Sequence, residues 1–81
     1  MSLDLVLKLS RIIKRRTIAK ELCDAGKISI NGKVSKPSSE VKEGDVLTLR
    51  LGQKVSNVKI TFIQQGKKEI PAFEELKEND A

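Results

Sequence analysis

The stretch that most constrains the fold is residues 10–32, SRIIKRRTIAKELCDAGKISING, in which an amphipathic helix, a glycine stop, a short strand and a hairpin turn follow without a spacer. From about Arg15 to Thr17 onward, Ile18, Leu22 and Ala25 recur at helical spacing, and Ala19 and Cys23 widen the apolar stripe. Gly26 stands where a helix stops through a left-handed residue. Ile28-Ser29-Ile30 alternates as a half-buried strand. Asn31-Gly32 then offers two residues that tolerate positive φ, as a type I′ turn demands, and the chain returns through Lys33-Val34.

The flanks supply what this unit packs on. Leu3, Val6 and Leu7 sit at i, i+3, i+4 and predict a short helix, with Ser2 as N-cap and Asp4 in its first turn. Lys36-Pro37-Ser38-Ser39 is a turn-rich connection, and Val41 is placed inward. A turn at Lys42-Glu43-Gly44-Asp45 leads to the alternating run VLTLRL, and a second at Gly52-Gln53 leads to a strand over residues 55–62 with Val58, Ile60 and Phe62 on one face. The fold class is α+β: two short N-terminal helices packed on a small, mainly antiparallel sheet. Periodicity stops after Ile63, so residues 1–63 are assigned to the domain and residues 64–81 to a polar, acidic tail. Within that tail Pro71 is expected to open a short helix through Leu76, and loss of residues 67–81 is expected to leave the fold largely intact.

Charge is unevenly spread. The chain carries net +5 with a pI near 9.6. Six Lys or Arg stand against one Asp in residues 1–20, and three against five acids in residues 67–81. Lys14-Arg15-Arg16 crowds like charges at a helix start, where they repel one another and oppose the helix dipole. A polyanion relieves that cost. Lys8 and Arg11 face away from the first helix's stripe, Arg16 and Lys20 share one exposed face of the second, and Lys27 lies just beyond its stop. The same helix start presents free backbone N–H groups suited to phosphate oxygens.

Enzyme chemistry finds little support. The chain has no His and one Cys, and contains no Gly-rich phosphate loop or nucleophile elbow. No catalytic residue, metal site or cofactor is expected, and Cys23 is read as a small core residue. No apolar run approaches the ~20 residues that span a bilayer, and the N-terminus does not read as a secretory signal, so no membrane partner and a cytoplasmic address are expected. With two Phe and no Tyr or Trp, and Phe62 assigned to the core, base-stacking platforms are not expected. Recognition by charge and shape follows, through phosphates and ribose hydroxyls of folded RNA.

The run Arg16-Thr17-Ile18-Ala19, followed by Leu22, Gly26, Ile28 and Asn31-Gly32, resembles the signature of the S-four RNA-binding domain family, named after the fourth protein of the small ribosomal subunit. The wider match covers residues 3–60. It is most similar to the family's small stand-alone bacterial members, the ribosome-associated quality-control factors that assist alanine tailing, which are related to the fifteen-kilodalton heat-shock protein. The resemblance implies the alpha-L type of this fold, and its Arg16-Thr17 signature together with the charge pattern gives an expected RNA-binding set of Lys8, Arg11, Lys14, Arg15, Arg16, Thr17, Lys20 and Lys27. Its implied partners are ribosomal RNA of the large subunit, transfer RNA held there and the alanine-tailing factor, with the chain acting as a monomer on stalled nascent chains. Two other roles stay open: a heat-shock-type factor recycling large subunits that carry a nascent chain, and a protein-interaction module. Ser2 and Leu5 stand where the family usually has basic residues. Arg16 is the leading RNA contact, with a brace to Asp4 or Glu21 as its competing role.

Overall fold

The computed structural model describes residues 1–76. Two helices, α1 (Leu3–Leu9) and α2 (Arg16–Asp24), precede five strands: β1 (Ile28–Ile30), β2 (Lys33–Val34), β3 (Val46–Leu51), β4 (Lys54–Gln65) and β5 (Lys68–Leu76). The strands form one antiparallel sheet in the order β2-β1-β3-β4-β5. The α+β class and all the elements expected before residue 63 are present.

The core lies where the helices meet one sheet face. Leu3, Val6 and Leu7 of α1 and Ala19 and Cys23 of α2 pack with Ile28, Val41, Leu47, Leu49, Val58 and Ile60. The strand residues among them share a face because register partners in antiparallel strands point the same way: Ile28 opposes Leu49, and Leu47 opposes Val58. The stripe of α2 is narrower than the periodicity predicts. Ala19 and Cys23 are buried, whereas Ile18 is 43% exposed and Ala25 is exposed, so only the Ala19–Cys23 line of the helix is buried in the core.

The helix start of α1 is satisfied by distant backbone. Leu3 N–H donates to Ser39 O (2.7 Å) and Asp4 N–H to Pro37 O (3.1 Å), so the Pro37 turn lies against the first helical turn. Ser2 is the N-cap, but its hydroxyl donates to Asp4 Oδ1 (2.7 Å) instead of capping a backbone N–H. Asn31 does more than make the turn. Its side chain accepts from Val46 N–H (2.9 Å) and donates to Asp45 (3.1 Å), fixing the hairpin to the start of β3.

The C-terminal part differs from expectation. The boundary placed after Ile63 falls inside β4, and the short helix expected from Pro71 is instead strand β5, paired with β4 from Gln65↔Lys68 to Asn57↔Leu76. Gly66, at φ 60°, occupies the first position of a two-residue loop, the place a type II′ hairpin reserves for glycine. Sheet pairing and burial of Pro71 outweigh the weak local helix preference of EIPAFEEL. The end of the acidic stretch, residues 77–81 with the acids Glu78 and Asp80, lies outside the described residues.

Candidate nucleic-acid interface

The loop between the helices is built around one unusual residue. Beyond α1 the chain passes Ser10 and turns left-handed at Arg11, φ 65°, a region few non-glycine residues occupy. Arg11 N–H donates to Lys8 O and Ile13 N–H to Leu7 O, both at 3.1 Å, and the Ile13 side chain is buried. The loop is thereby pinned at its back, and Lys8, Arg11 and Lys14 line an open cleft of about 370 Å³ at its front.

A second cleft, of about 540 Å³, opens at the start of α2. Arg16, Thr17 and Lys20 form one wall, Ser2 and Asp4 of the N-terminus a second, and Pro37 and Ser38 a third. The N-cap is Arg15, with extended backbone and no side-chain cap, and no acid occupies the first turn of α2. Within α2 itself, then, no side chain offsets the positive helix end, which suits an anion. Arg16 is anchored within this cleft. Its Nε donates to Asp4 Oδ2 at 3.0 Å, which among the described residues is the one ion pair, with Arg16 62% and Asp4 14% exposed. Of the two braces considered for Arg16, Asp4 serves and Glu21 does not.

Asp4 is itself held. Oδ1 accepts from the Ser2 hydroxyl and from Leu5 N–H at 2.9 Å. The Ser2 hydrogen bond, against the opposing effect of burial and with help from Arg16, keeps the Asp4 carboxyl below its ordinary pKa. It is ionised at neutral pH. Leu5, at the other departure from the family pattern, is half-buried.

The expected residues therefore fall into groups. Lys8, Arg11 and Lys14 come together in one cleft, and Arg16, Thr17 and Lys20 in the other. Arg15 is exposed and lies between them in sequence. Lys27 is set apart at the far end of α2, roughly 15 Å along the helix axis, where its carbonyl accepts from Arg50 N–H (2.8 Å). Ser38, absent from the expected set, joins through the Pro37 turn, a non-local contact with no sequence signal beyond the turn itself. Phe73 corrects another expectation: it is 41% exposed and shares a groove with Arg11, Leu51 and Glu75, so the surface does carry one accessible aromatic ring.

Residues 1–47 match the S4 domain. Over 82 residues the chain is 48% identical to the RQC P-site tRNA stabilizing factor of Halalkalibacterium halodurans, with 99% of this chain and 93% of the relative covered. The factor of the same name from Bacillus subtilis is 56% identical over 64 residues, covering 79% of this chain and 74% of the relative. Among solved structures, Vibrio cholerae Heat Shock Protein 15, described as trimeric, aligns with a TM-score of 0.75 and 28% identity over 94% of this chain and 81% of its own. The matched residues 1–47 contain both cationic clefts and the hairpin that supports them, and the chain belongs to the S4 domain family.

Proposed function

We propose that this chain is an RNA-binding adaptor of the large ribosomal subunit, docking on ribosomal RNA and on peptidyl transfer RNA during quality control of stalled nascent chains. The observation that carries this reading is the pair of neighbouring cationic clefts at the α1–α2 junction, one opening on the uncapped start of α2. Their cationic linings suit phosphates of a folded RNA backbone, and the hydroxyls of Thr17 and Ser38 suit ribose or phosphate oxygens. The names of the relatives from H. halodurans and B. subtilis point to transfer RNA at the ribosomal P site.

The chain acts by binding, without a catalytic step. Cys23, the one thiol, is buried with its pKa pushed up to about 11, which leaves it a poor nucleophile. No helix among the described residues is long and apolar enough to cross a membrane. A cytoplasmic site of action, a monomeric state and contact with the alanine-tailing factor complete the proposal. The likeness to Heat Shock Protein 15 favours a second reading, the recycling of large subunits that carry a nascent chain.

Co-sedimentation with purified large subunits, with and without peptidyl transfer RNA, over a salt series tests the function. If about four phosphates are neutralised, counterion release gives a loss on the order of a hundredfold between ~50 and ~200 mM salt. Preference for subunits with peptidyl transfer RNA supports the quality-control role, and a flat salt profile overturns the RNA interface.

A further inference from the structure

We infer that Asp4, an acidic residue inside a surface meant for a polyanion, is the positioning residue that presents Arg16 to RNA. This inference rests on the RNA-binding reading and assigns a role within the Arg16 cleft. By charge alone Asp4 is misplaced, since it repels the phosphates that Arg16, Lys20 and the α2 start attract. Its hydrogen bonds explain its presence. Oδ1 is fixed by the Ser2 hydroxyl and Leu5 N–H, and the segment that carries it is tied to the Pro37 turn through Asp4 N–H. Oδ2 takes Arg16 Nε alone, which leaves both Nη groups of Arg16 without a protein partner among the described residues.

A guanidinium held by Nε keeps its outer edge for a phosphate and loses little further rotamer freedom on binding. Even with the brace Arg16 is 62% exposed, so without it the long flexible side chain must be ordered by the RNA itself. Asp4 thus opposes binding through its charge and favours it through preorganisation. The two effects have opposite signs, which makes them separable.

Asp4→Asn is the discriminating variant. With its carbonyl on the Oδ1 side it still accepts from Ser2 and Leu5, while the amide that replaces Oδ2 cannot accept from Arg16 Nε. Binding to large subunits carrying peptidyl transfer RNA is measured for the unmodified chain, D4N, R16A and D4N/R16A, with a thermal melt of each. Positioning predicts that D4N weakens binding about threefold to tenfold although it adds one unit of positive charge, from the freedom regained by one long side chain. In the R16A background the same change strengthens binding, because only the charge effect is left.

Tighter binding by D4N in the unmodified background overturns the inference and makes Asp4 a competitor of the RNA. An equal loss in both backgrounds also overturns it, and assigns Asp4 to supporting the fold. If the unmodified chain itself shows no salt-dependent binding, the RNA-binding reading falls, and the positioning role with it.

Discussion

Arg11 and Gly26 occupy the same place at the ends of the two helices, one residue beyond the C-cap, and both are left-handed, at φ 65° and 72°. At α2 the arrangement is complete: Gly26 N–H donates to Cys23 O (3.0 Å) and Lys27 N–H to Leu22 O (2.9 Å). At α1 the first of these bonds has its counterpart in Arg11 N–H to Lys8 O, but an arginine stands where glycine is favoured. Left-handed backbone with a side chain costs roughly 1–2 kcal/mol. Arg11→Gly should therefore raise stability by about 1 kcal/mol, seen as a melting temperature some 4–8 °C higher, while binding to large subunits weakens because the Lys8–Lys14 cleft loses its central cation. Unchanged stability would remove the strain from the account, and unchanged affinity would remove Arg11 from the interface.

Gly26 gives the converse experiment. A Cβ added there meets only Val34 Cγ1 at 3.8 Å, an ordinary contact, so packing is not the obstacle. Backbone strain is. Gly26→Ala should destabilise the domain by about 1–2 kcal/mol in urea unfolding, and Gly26→Asn should recover part of that, since asparagine tolerates the left-handed region better. Equal destabilisation by both variants would point to a steric cause instead.

The first 63 residues were legible because their signals are local. Gly26, Asn31-Gly32 and the alternation of VLTLRL each act over a few residues, and each sits in the element it implies. Residues 64–76 were not, because QQGKKE looks like a polar boundary although Gly66 makes it a two-residue hairpin loop, and because Pro71 suggests a helix start when read without its partner Phe62. The basic residues proposed for the interface were picked out by charge and helical facing. Their division into two clefts could not, since it depends on Ser2 and Asp4 meeting the Pro37 turn and on a left-handed arginine that no local rule anticipates.

Cys23 should reveal its burial through pH. Desolvation, with the charges of Asp24 and Asp4 adding to it, raises its pKa from the ordinary 9.0 to about 11. The folded state then holds the thiol proton more tightly than the unfolded state. Its contribution to stability is fully present below pH 9.0 and is lost as pH rises through about 11. Denaturation profiles of the unmodified chain and Cys23→Ala should differ in shape across that interval, with the steeper decline in the unmodified chain. A thiol reagent at neutral pH should label the native protein slowly and the urea-unfolded protein fast. Rapid native labelling would contradict the buried, protonated state.

Strand β5 makes the strongest stability prediction. Pro71 is fully buried, Phe73 lies opposite Ile60, and the strand is in contact with α1, so residues 68–76 close one side of the core. Removing residues 67–81 strips β4 of its partner from Asn57 to Gln65 and opens Val58 and Ile60 to water. Loss of a buried side chain commonly costs 2–5 kcal/mol, against a total stability of roughly 5–10 kcal/mol for a small domain. The truncated chain should lose most of its cooperative melting transition, and Phe73→Ala alone should lower the midpoint by a smaller, measurable amount. A truncation that melts within a few degrees of the full chain would return residues 67–81 to the role of a tail and confine the stable domain to residues 1–66.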